Sequence, residues 1–282
     1  MSRGVQKWTE EAIAKRVKLG HGRGKGPTYL PWVLTTDFYS KGRTHTPYSH
    51  KTGRSHELLS DGELNAFLML EWALDVIDIR EQYPLERDVT LELAQELGIR
   101  HPYYPGTHVP FVMTLDFLVT KVSHGTEVLE AFSVKQQSDL EDAETLCRLE
   151  LERATCQALG IPFRLLVKER MPQQVIANLA WVRDAQLDEN AIEPFEGFYA
   201  DHKRRMVQDM SARQFYGSLN DYCTDYDRRY SVERGTGLRV ARMLLLDRTL
   251  TMDLNNRVPQ AAPMSTFRLT ASPGRLRAMG GN

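Results

Sequence analysis

The chain has 282 residues, of which 41% are hydrophobic and 26% charged, and its formal net charge is −1. This length accommodates two domains with cores of their own, and the balanced charge excludes a uniformly basic nucleic-acid-binding surface. No stretch is apolar enough to span a membrane, and basic residues interrupt the start of the chain where a signal peptide would be apolar. Three cysteines without CxxC spacing indicate neither a disulfide framework nor a zinc site, so we expect a cytoplasmic protein.

The two ends of the chain are more basic than the middle. Residues 1–26 hold seven lysines and arginines against two acids, and residues 254–282 hold four arginines and no acid. Such segments are commonly solvated tails, although they also suit salt-dependent contact with phosphate.

Residues 1–110 predict two helices, a strand and a third, short helix around polar connections. In chain order we expect a basic helix over 10–19, an extended segment from Tyr29 to Tyr39, a polar turn-rich stretch over 40–57, a helix opened by Ser60, a strand over Val76–Ile79 and a short helix over Leu91–Leu97. The helix after Ser60 carries apolar residues three and four apart, which gives it one buried face.

The next segment predicts the centre of a mixed α/β sheet. The expected elements are a strong strand over Phe111–Val119, a turn over Lys121–Gly125, a returning strand over Val128–Val134, a long amphipathic helix over Leu140–Leu159 and a strand over Pro162–Val167. Strands and helices in this order predict a sheet with helices on its faces.

After about residue 170 the pattern becomes mainly helical. We expect helices over Val175–Ala185, Asp201–Tyr216 and Gly237–Leu246, followed by short strands over Thr249–Leu254 and Thr266–Leu269. Helices followed by a small hairpin indicate a winged helix. The domain boundary is therefore placed near residues 168–172, which gives domains 1–169 and 170–282.

Two acids and a lysine stand at positions that suit phosphodiester hydrolysis. Glu63 lies in the first turn of the helix after Ser60, Asp116 lies in the strongest strand, and Lys135 ends the next strand. Two carboxylates can hold Mg²⁺, which prefers oxygen ligands and activates water. A lysine beside them can orient the water or offset charge in the transition state.

Each of these residues also has an ordinary structural interpretation. Ser60-Asp-Gly-Glu63 fits a capping box, in which the glutamate only closes the start of the helix. Asp116 stands in an apolar strand, where an unpaired charge is costly unless the strand lies at an edge or a turn. Lys135 at a strand end can simply point into water. The spacing alone leaves both interpretations open.

Several longer motifs sharpen the choice. They are the run Gly20–Trp32, Tyr48-Ser-His-Lys-Thr-Gly-Arg-Ser-His, Leu58-Leu-Ser-Asp-Gly-Glu-Leu, Leu70-Glu-Trp, Val76-Ile-Asp-Ile-Arg-Glu-Gln-Tyr-Pro-Leu, Met113-Thr-Leu-Asp-Phe-Leu-Val, Val134-Lys135 and Leu149-Glu-Leu-Glu-Arg. In order and spacing this chain resembles the TnsA family of transposon endonucleases from about residue 10 to 170. The resemblance implies a restriction-endonuclease-like mixed sheet flanked by helices, followed by a small α+β winged-helix domain.

The resemblance also implies roles for individual residues. Glu63 and Asp116 match metal ligands, Lys135 matches the catalytic lysine, and the backbone carbonyl of Val134 is a further expected ligand of Mg²⁺, for which Mn²⁺ can substitute. The chain departs from the family at Ser133, where the motif has glutamine and the wider superfamily an acid, and at Leu115, which replaces a frequent proline. Ser133 leaves the number of bound metals open. Glu150 and Glu152 are possible supplementary acids, but we expect them on the solvated face of a charged helix.

The family implies a nuclease that nicks the 5′ ends of a transposon. Its expected partners are transposon-end DNA, a TnsB-like DDE transposase that cuts the 3′ ends, and a TnsC-like ATPase regulator bound through the C-terminal domain. Expected DNA contacts are Arg23 and Lys25, on a glycine-rich loop interpreted as a flexible arm, and His50, Lys51 and Arg54 in the polar stretch. The alternatives are a stand-alone restriction or repair nuclease and a non-catalytic assembly module.

Overall fold

The structure is a computed structural model that describes residues 8–37, 43–187 and 193–270. Tyr39, Arg3, Lys7, Arg275 and Arg277, which belong to segments interpreted from the sequence, lie outside the described residues. The chain divides into two compact units, Met1–Met171 and Pro172–Asn282. Within the described residues, none of the helices has the length and apolar character required to cross a membrane.

The first unit is built around a four-stranded mixed sheet. Its elements in chain order are α1 (Glu10–Lys18), β1 (Tyr48–Ser49), β2 (Arg54–Ser55), α2 (Asp61–Trp72), β3 (Val76–Pro84), α3 (Arg87–Glu96), β4 (Thr114–Ser123), β5 (Thr126–Lys135), α4 (Ala143–Ala158) and β6 (Phe163–Val167). The sheet order is β3-β4-β5-β6. Strand β4 pairs antiparallel with both β3 and β5, and β6 runs parallel to β5 after the crossover through α4. The expected mixed sheet flanked by helices is confirmed.

Strands β3 and β5 are longer than their apolar patterns suggested, whereas β4 begins at Thr114 rather than at Phe111 and β6 begins at Phe163. Strand β3 continues to Pro84, and the β4–β5 pairing continues to Ser123 and Thr126. The turn expected over Lys121–Gly125 is therefore confined to the tip of this hairpin. Polar residues extend both strands because the hairpin tip is exposed, so the alternation that marks a half-buried strand is lost there.

The apolar segment that begins at Tyr29 is not a strand in its described part, 29–37. Tyr29 and Trp32 are both buried, and each forms a hydrogen bond with β3. The Trp32 N–H donates to the Gln82 carbonyl at 3.1 Å, and the Tyr29 hydroxyl donates to the Glu81 carbonyl at 2.9 Å. An irregular segment thus covers the edge of β3, which would otherwise present unpaired backbone groups.

The glycine-rich loop from Gly20 to Pro27 is folded, which corrects its interpretation as a flexible arm. Gly22 donates its N–H to the Leu30 carbonyl at 2.6 Å, and Gly26 donates to the Asp78 carboxylate at 3.2 Å. Gly22 has a φ of +77°, and a Cβ there would lie 2.2 Å from a Pro84 side-chain carbon. Glycine is required at this position by the close approach and by its backbone conformation, rather than by flexibility.

Apolar clusters stabilise the first unit, and two of them lie within its described residues. One lies between the sheet and helices α3 and α4, and it consists of Leu85, Ala94, Met113, Leu115, Leu118, Ala131, Leu151 and Cys156. The other joins α1 to the following loops through Trp8, Ile13, Trp32, Val33, Tyr104 and Val112. Leu115, where the superfamily often has proline, is 1% exposed and fills the first cluster. The first cluster ties α4 to the central strands and so fixes the helix that borders the site.

The second unit contains helices followed by a small antiparallel strand pair, as the sequence predicted. Its elements are α5 (Gln173–Arg183), α6 (Phe198–Ala212), α7 (Leu219–Tyr230), α8 (Thr236–Leu246), β7 (Leu250–Thr251) and β8 (Arg268–Leu269). Helix α7 was missed because its buried stripe is carried by tyrosines and a cysteine among many charges. The winged-helix assignment of this unit stays a prediction.

Candidate active site

The candidate site lies where strands β4 and β5 stop pairing. Their ladder ends with Phe117 opposite Phe132. One residue beyond it, the Asp116 carboxylate accepts from the Val134 backbone N–H at 2.6 Å and from the Lys135 ammonium at 3.3 Å. The Asp116 side chain therefore takes the place of the next backbone hydrogen bond between β4 and β5. Asp116 and Lys135, the two residues predicted on these strands, meet where the pairing ends.

Lys135 is held against two oxygens that were predicted to bind metal. Its ammonium donates to the Val134 carbonyl at 3.1 Å as well as to Asp116. Burial acts to lower the pKa of Lys135, but the negative charges of Asp116, Glu152 and Glu63 outweigh it and raise the pKa above its ordinary value. The lysine is therefore protonated, and its positive charge already lies beside these oxygens.

Glu63 combines the capping role with a position in the site. Ser60 caps α2 by accepting from the Glu63 N–H at 3.1 Å, and the Glu63 carboxylate accepts from the Ser60 hydroxyl and the Leu59 N–H. The Gln82 side-chain amide supplies a further donor at 3.1 Å. Burial, followed by the nearby charge of Asp116, raises the pKa of Glu63 to about 8. The capping box is present, and the same carboxylate lies near enough to Asp116 for that charge to act on its pKa. The role of Glu63 as a metal ligand stays a prediction.

Glu152 was expected on a solvated helix face, and that expectation is wrong. Its side chain is buried, and its carboxylate accepts a hydrogen bond from Ser133, the residue that departs from the family motif. Burial raises the pKa of Glu152 to about 7, although the Lys135 charge opposes the shift. Glu150 does lie on the solvated face, where it pairs with Arg153. An acid from α4 thus contacts the serine at the motif position where the superfamily carries its own acid.

The oxygen atoms at this site are suitable ligands for a hard cation such as Mg²⁺. Glu63, Asp116 and the Val134 carbonyl provide only oxygen atoms, the ligand type that Mg²⁺ prefers. Among the described residues, no group of three His, Cys, Asp or Glu side chains is arranged to hold a metal. Mg²⁺ does not need such a cage, since it is usually held by one or two carboxylates together with water and substrate phosphate. The residues present therefore fit the cofactor that the sequence led us to expect.

The predicted DNA contacts separate into exposed and buried residues. Arg54 is wrong as a DNA contact: its guanidinium is buried, donates to both Glu81 carboxylate oxygens at 2.7 and 2.6 Å and stacks over Tyr29. Its charge is therefore used inside the protein. Lys51 donates to the Ala73 carbonyl at 2.5 Å and is half-buried.

The remaining predicted contacts are accessible. His50 is exposed beside the Tyr48 ring, and Arg23 and Lys25 are exposed on the folded glycine-rich loop. Lys25 forms a long, exposed ion pair with Glu127, at 3.5 Å. Such pairs contribute little to stability, so Lys25 can exchange this partner for a phosphate. These three residues stay predictions as DNA contacts.

Two carboxylates and a lysine at the open end of a mixed sheet define a site of the kind used by metal-dependent nucleases. Comparison with known proteins identifies the family. Residues 74–168 match a model described as "TnsA-like endonuclease N terminal", and residues 171–254 match one described as "TnsA endonuclease C terminal". The Escherichia coli "Transposon Tn7 transposition protein TnsA" is 41% identical over 193 residues, which cover 68% of this chain and 70% of that protein.

This chain belongs to the TnsA family of endonucleases. Asp116, Val134 and Lys135 fall within the matched N-terminal segment, whereas Glu63 precedes it. The position of Glu63 in the site therefore rests on the geometry described above. The family confirms the resemblance drawn from the sequence motifs.

Proposed function

We propose that this protein is a Mg²⁺-dependent DNA endonuclease that nicks the 5′ ends of a transposon during cut-and-paste transposition. The observation that carries the proposal is the cluster of Asp116, Lys135 and Glu63 at the end of the β4–β5 ladder. Membership of an endonuclease family supports DNA cleavage, and the Escherichia coli relative is named as a transposition protein of Tn7.

The residues of the site divide the chemistry among them. Glu63, Asp116 and the Val134 carbonyl would hold Mg²⁺, which when bound lowers the pKa of water and offsets charge on the phosphate. Lys135 stabilises the negative charge that develops at the scissile phosphate, because its ammonium is already fixed beside Asp116 and Val134. Leu59 and Gln82 orient the Glu63 carboxylate through their N–H groups. One such site would cut one strand at a time.

The division of labour in the family suggests the partners. A TnsB-like DDE transposase would cut the 3′ ends and join them to the target. A TnsC-like ATPase regulator would bind the unit formed by Pro172–Asn282. In this scheme, the transposase brings the nuclease to the transposon-end DNA.

Strand-specific cleavage tests the proposal. Donor DNA labelled on the 5′ strand is incubated with the transposase, the regulator and either wild type, Asp116→Ala or Asp88→Ala. Asp88 is an exposed aspartate on α3 in the same unit and serves as the matched control. We expect wild type and Asp88→Ala to nick the 5′ end in Mg²⁺ or Mn²⁺ but not in EDTA, and folded Asp116→Ala to leave it intact.

Other outcomes separate the alternatives. Efficient cleavage of unrelated DNA by the purified chain alone would favour a stand-alone nuclease. Equal nicking by folded Asp116→Ala and wild type would contradict the site assignment, and the chain would then be an assembly module.

A further inference from the structure

Gln82 has an unusual backbone for a residue inside a strand. Its φ is +48°, although it lies within β3. The neighbouring pairs are Glu81 with Phe117 and Tyr83 with Leu115, so Gln82 stands opposite Asp116. Left-handed backbone is uncommon for residues other than glycine, asparagine and aspartate, and where it persists the surrounding structure must enforce it.

The Gln82 side chain joins two parts of the candidate site. Its amide nitrogen donates to the Glu63 carboxylate at 3.1 Å, and its amide oxygen accepts from the Thr114 hydroxyl at 3.3 Å. Thr114 lies two residues before Asp116 at the start of β4. The side chain is buried, at 3% exposure. It therefore connects the acid on the helix to the strand that carries the other acid.

We propose that Gln82 is a positioning residue that fixes the Glu63 carboxylate toward Asp116, and that its left-handed backbone is retained for this purpose. The inference rests on the proposed function, because Glu63 is taken there as a metal ligand. Two neighbouring carboxylates repel each other. The Ser60 hydroxyl and the Leu59 N–H hold Glu63 from the start of its own helix, and the Gln82 amide adds a donor from β3, the strand next to the one that carries Asp116. An amide supplies that donor without adding charge.

The backbone contact at this position does not explain the choice of side chain. The Gln82 carbonyl accepts from the Trp32 N–H at 3.1 Å, a contact that any residue can make. If only the turn of the backbone mattered, glycine would adopt it without steric strain. The glutamine amide, with its two partners, is what distinguishes this residue.

The test compares Mn²⁺ binding to the intact protein alone, measured by electron paramagnetic resonance, in wild type, Gln82→Met, Gln82→Gly and Gln82→Ala. Methionine keeps the length of the side chain and removes the amide. Loss of a group that orients a metal ligand weakens metal binding by roughly 10–100-fold. We expect such a loss in all three variants and a smaller one in Thr114→Val, which removes only the anchor of the amide.

Stability and Mn²⁺ binding together separate the role of the Gln82 amide from that of its left-handed backbone. Gln82→Gly should unfold at higher urea concentration than Gln82→Ala, the reverse of their usual order within a strand, while both bind Mn²⁺ equally weakly. Wild-type Mn²⁺ affinity in folded Gln82→Met and Gln82→Gly would overturn this proposal alone. Absence of Asp116-dependent Mn²⁺ binding in the wild type would overturn the proposed function, and this role with it.

Discussion

Glu152 and Glu150 lie two positions apart on α4, but their environments differ. Glu150 is exposed beside Arg153, whereas Glu152 is buried, accepts from Ser133 and lies within the electrostatic reach of Lys135. A buried acid beside a lysine influences the charge and orientation of that lysine far more than an exposed acid does. Glu152 is therefore the acid on this helix that contributes to the site.

Removal of the Glu152 charge should affect cleavage selectively. Because the negative charge of Glu152 acts on Lys135 and helps to raise its pKa, we expect Glu152→Gln to lower the nicking rate by roughly tenfold or more at unchanged fold. The rate is measured in the labelled donor assay with the folded state checked by circular dichroism. Glu150→Gln is the matched control, and equal rates for the two variants would show that Glu152 has no part in the reaction.

At the scale of residues, the sequence marks a side chain whose charge differs from its apolar neighbours. Asp116 was conspicuous as a charge between Leu115 and Phe117 in an apolar strand. Glu152 was not, because it belongs to a helix with many charges and only packing shows which of them are buried. Gln82 carried no signal either, because a left-handed residue inside a strand is imposed by tertiary contacts.

At the scale of elements, a buried ionic network attaches the β1–β2 hairpin to β3. Glu81 is fully buried and accepts from Arg54 and from the Glu57 backbone N–H, and its carboxylate also contacts the His56 ring at 2.7 Å. Glu81 directly precedes Gln82, so the network also supports the strand segment that borders the site. Removing one partner of such a network leaves a buried charge uncompensated.

The stability of this network should depend on pH. Burial alone would raise the pKa of Glu81, but hydrogen bonds from Arg54 and His56 lower it from 4.5 to about 2. Because the folded pKa is depressed, the stabilisation is fully present above about pH 4.5 and is lost as the pH falls toward 2. A shift of this size corresponds to about 3 kcal/mol.

Urea unfolding between pH 7 and pH 3 measures the effect. We expect Glu81→Gln to be less stable than wild type at pH 7, by an amount similar to the roughly 3–5 kcal/mol lost when buried ion pairs are broken. Its stability should then fall less steeply with acid. The Glu150→Gln variant, whose charge is exposed, should follow the wild-type curve. A Glu81→Gln curve parallel to wild type would contradict the assignment of the shift.

Elements were predicted from sequence where periodicity is strong and missed where burial has another cause. The core strands and helix α4 follow from their apolar patterns. The segment from Tyr29 was mistaken for an extended element because an irregular chain covering β3 is as apolar as a strand. Helix α7 was missed because its buried face is aromatic and polar. A pattern of polar and apolar residues indicates which side chains are buried. It does not indicate which element they pack against.

At the scale of the whole molecule, the near-zero net charge means that DNA affinity must arise from local groups. Arg23 and Lys25 are exposed on a folded loop against β3, so they can present their charges without ordering a flexible chain. Arg148 and Arg153 are also exposed, but they form short ion pairs of 2.5 and 2.6 Å with glutamates on their own helix, whereas the Lys25 ion pair is 3.5 Å long. Arg23 and Lys25 therefore carry the same charge as Arg148 and Arg153, but they are more available to bind phosphate.

The salt dependence of DNA binding distinguishes the loop residues Arg23 and Lys25 from the helix residues Arg148 and Arg153. If both loop residues contact phosphate, replacing Arg23 and Lys25 with serine should reduce the slope of log K against log salt by about 2. The doubly substituted Arg148→Ser, Arg153→Ser protein has the same net charge and should keep the wild-type slope. Binding is measured by fluorescence anisotropy on transposon-end DNA with the transposase present. An unchanged slope in the loop variant would exclude the loop as a DNA contact.

The structure of the transposition products tests most directly whether this protein makes the 5′-strand cut with the site containing Asp116. Transposition reactions containing the transposase and the regulator are run with wild type or Asp116→Ala, and the products are sequenced from end to end. We predict simple insertions for wild type and joined donor–target cointegrates for the variant, because 3′ joining without 5′ cleavage leaves the donor attached. Identical products from both proteins would contradict the account.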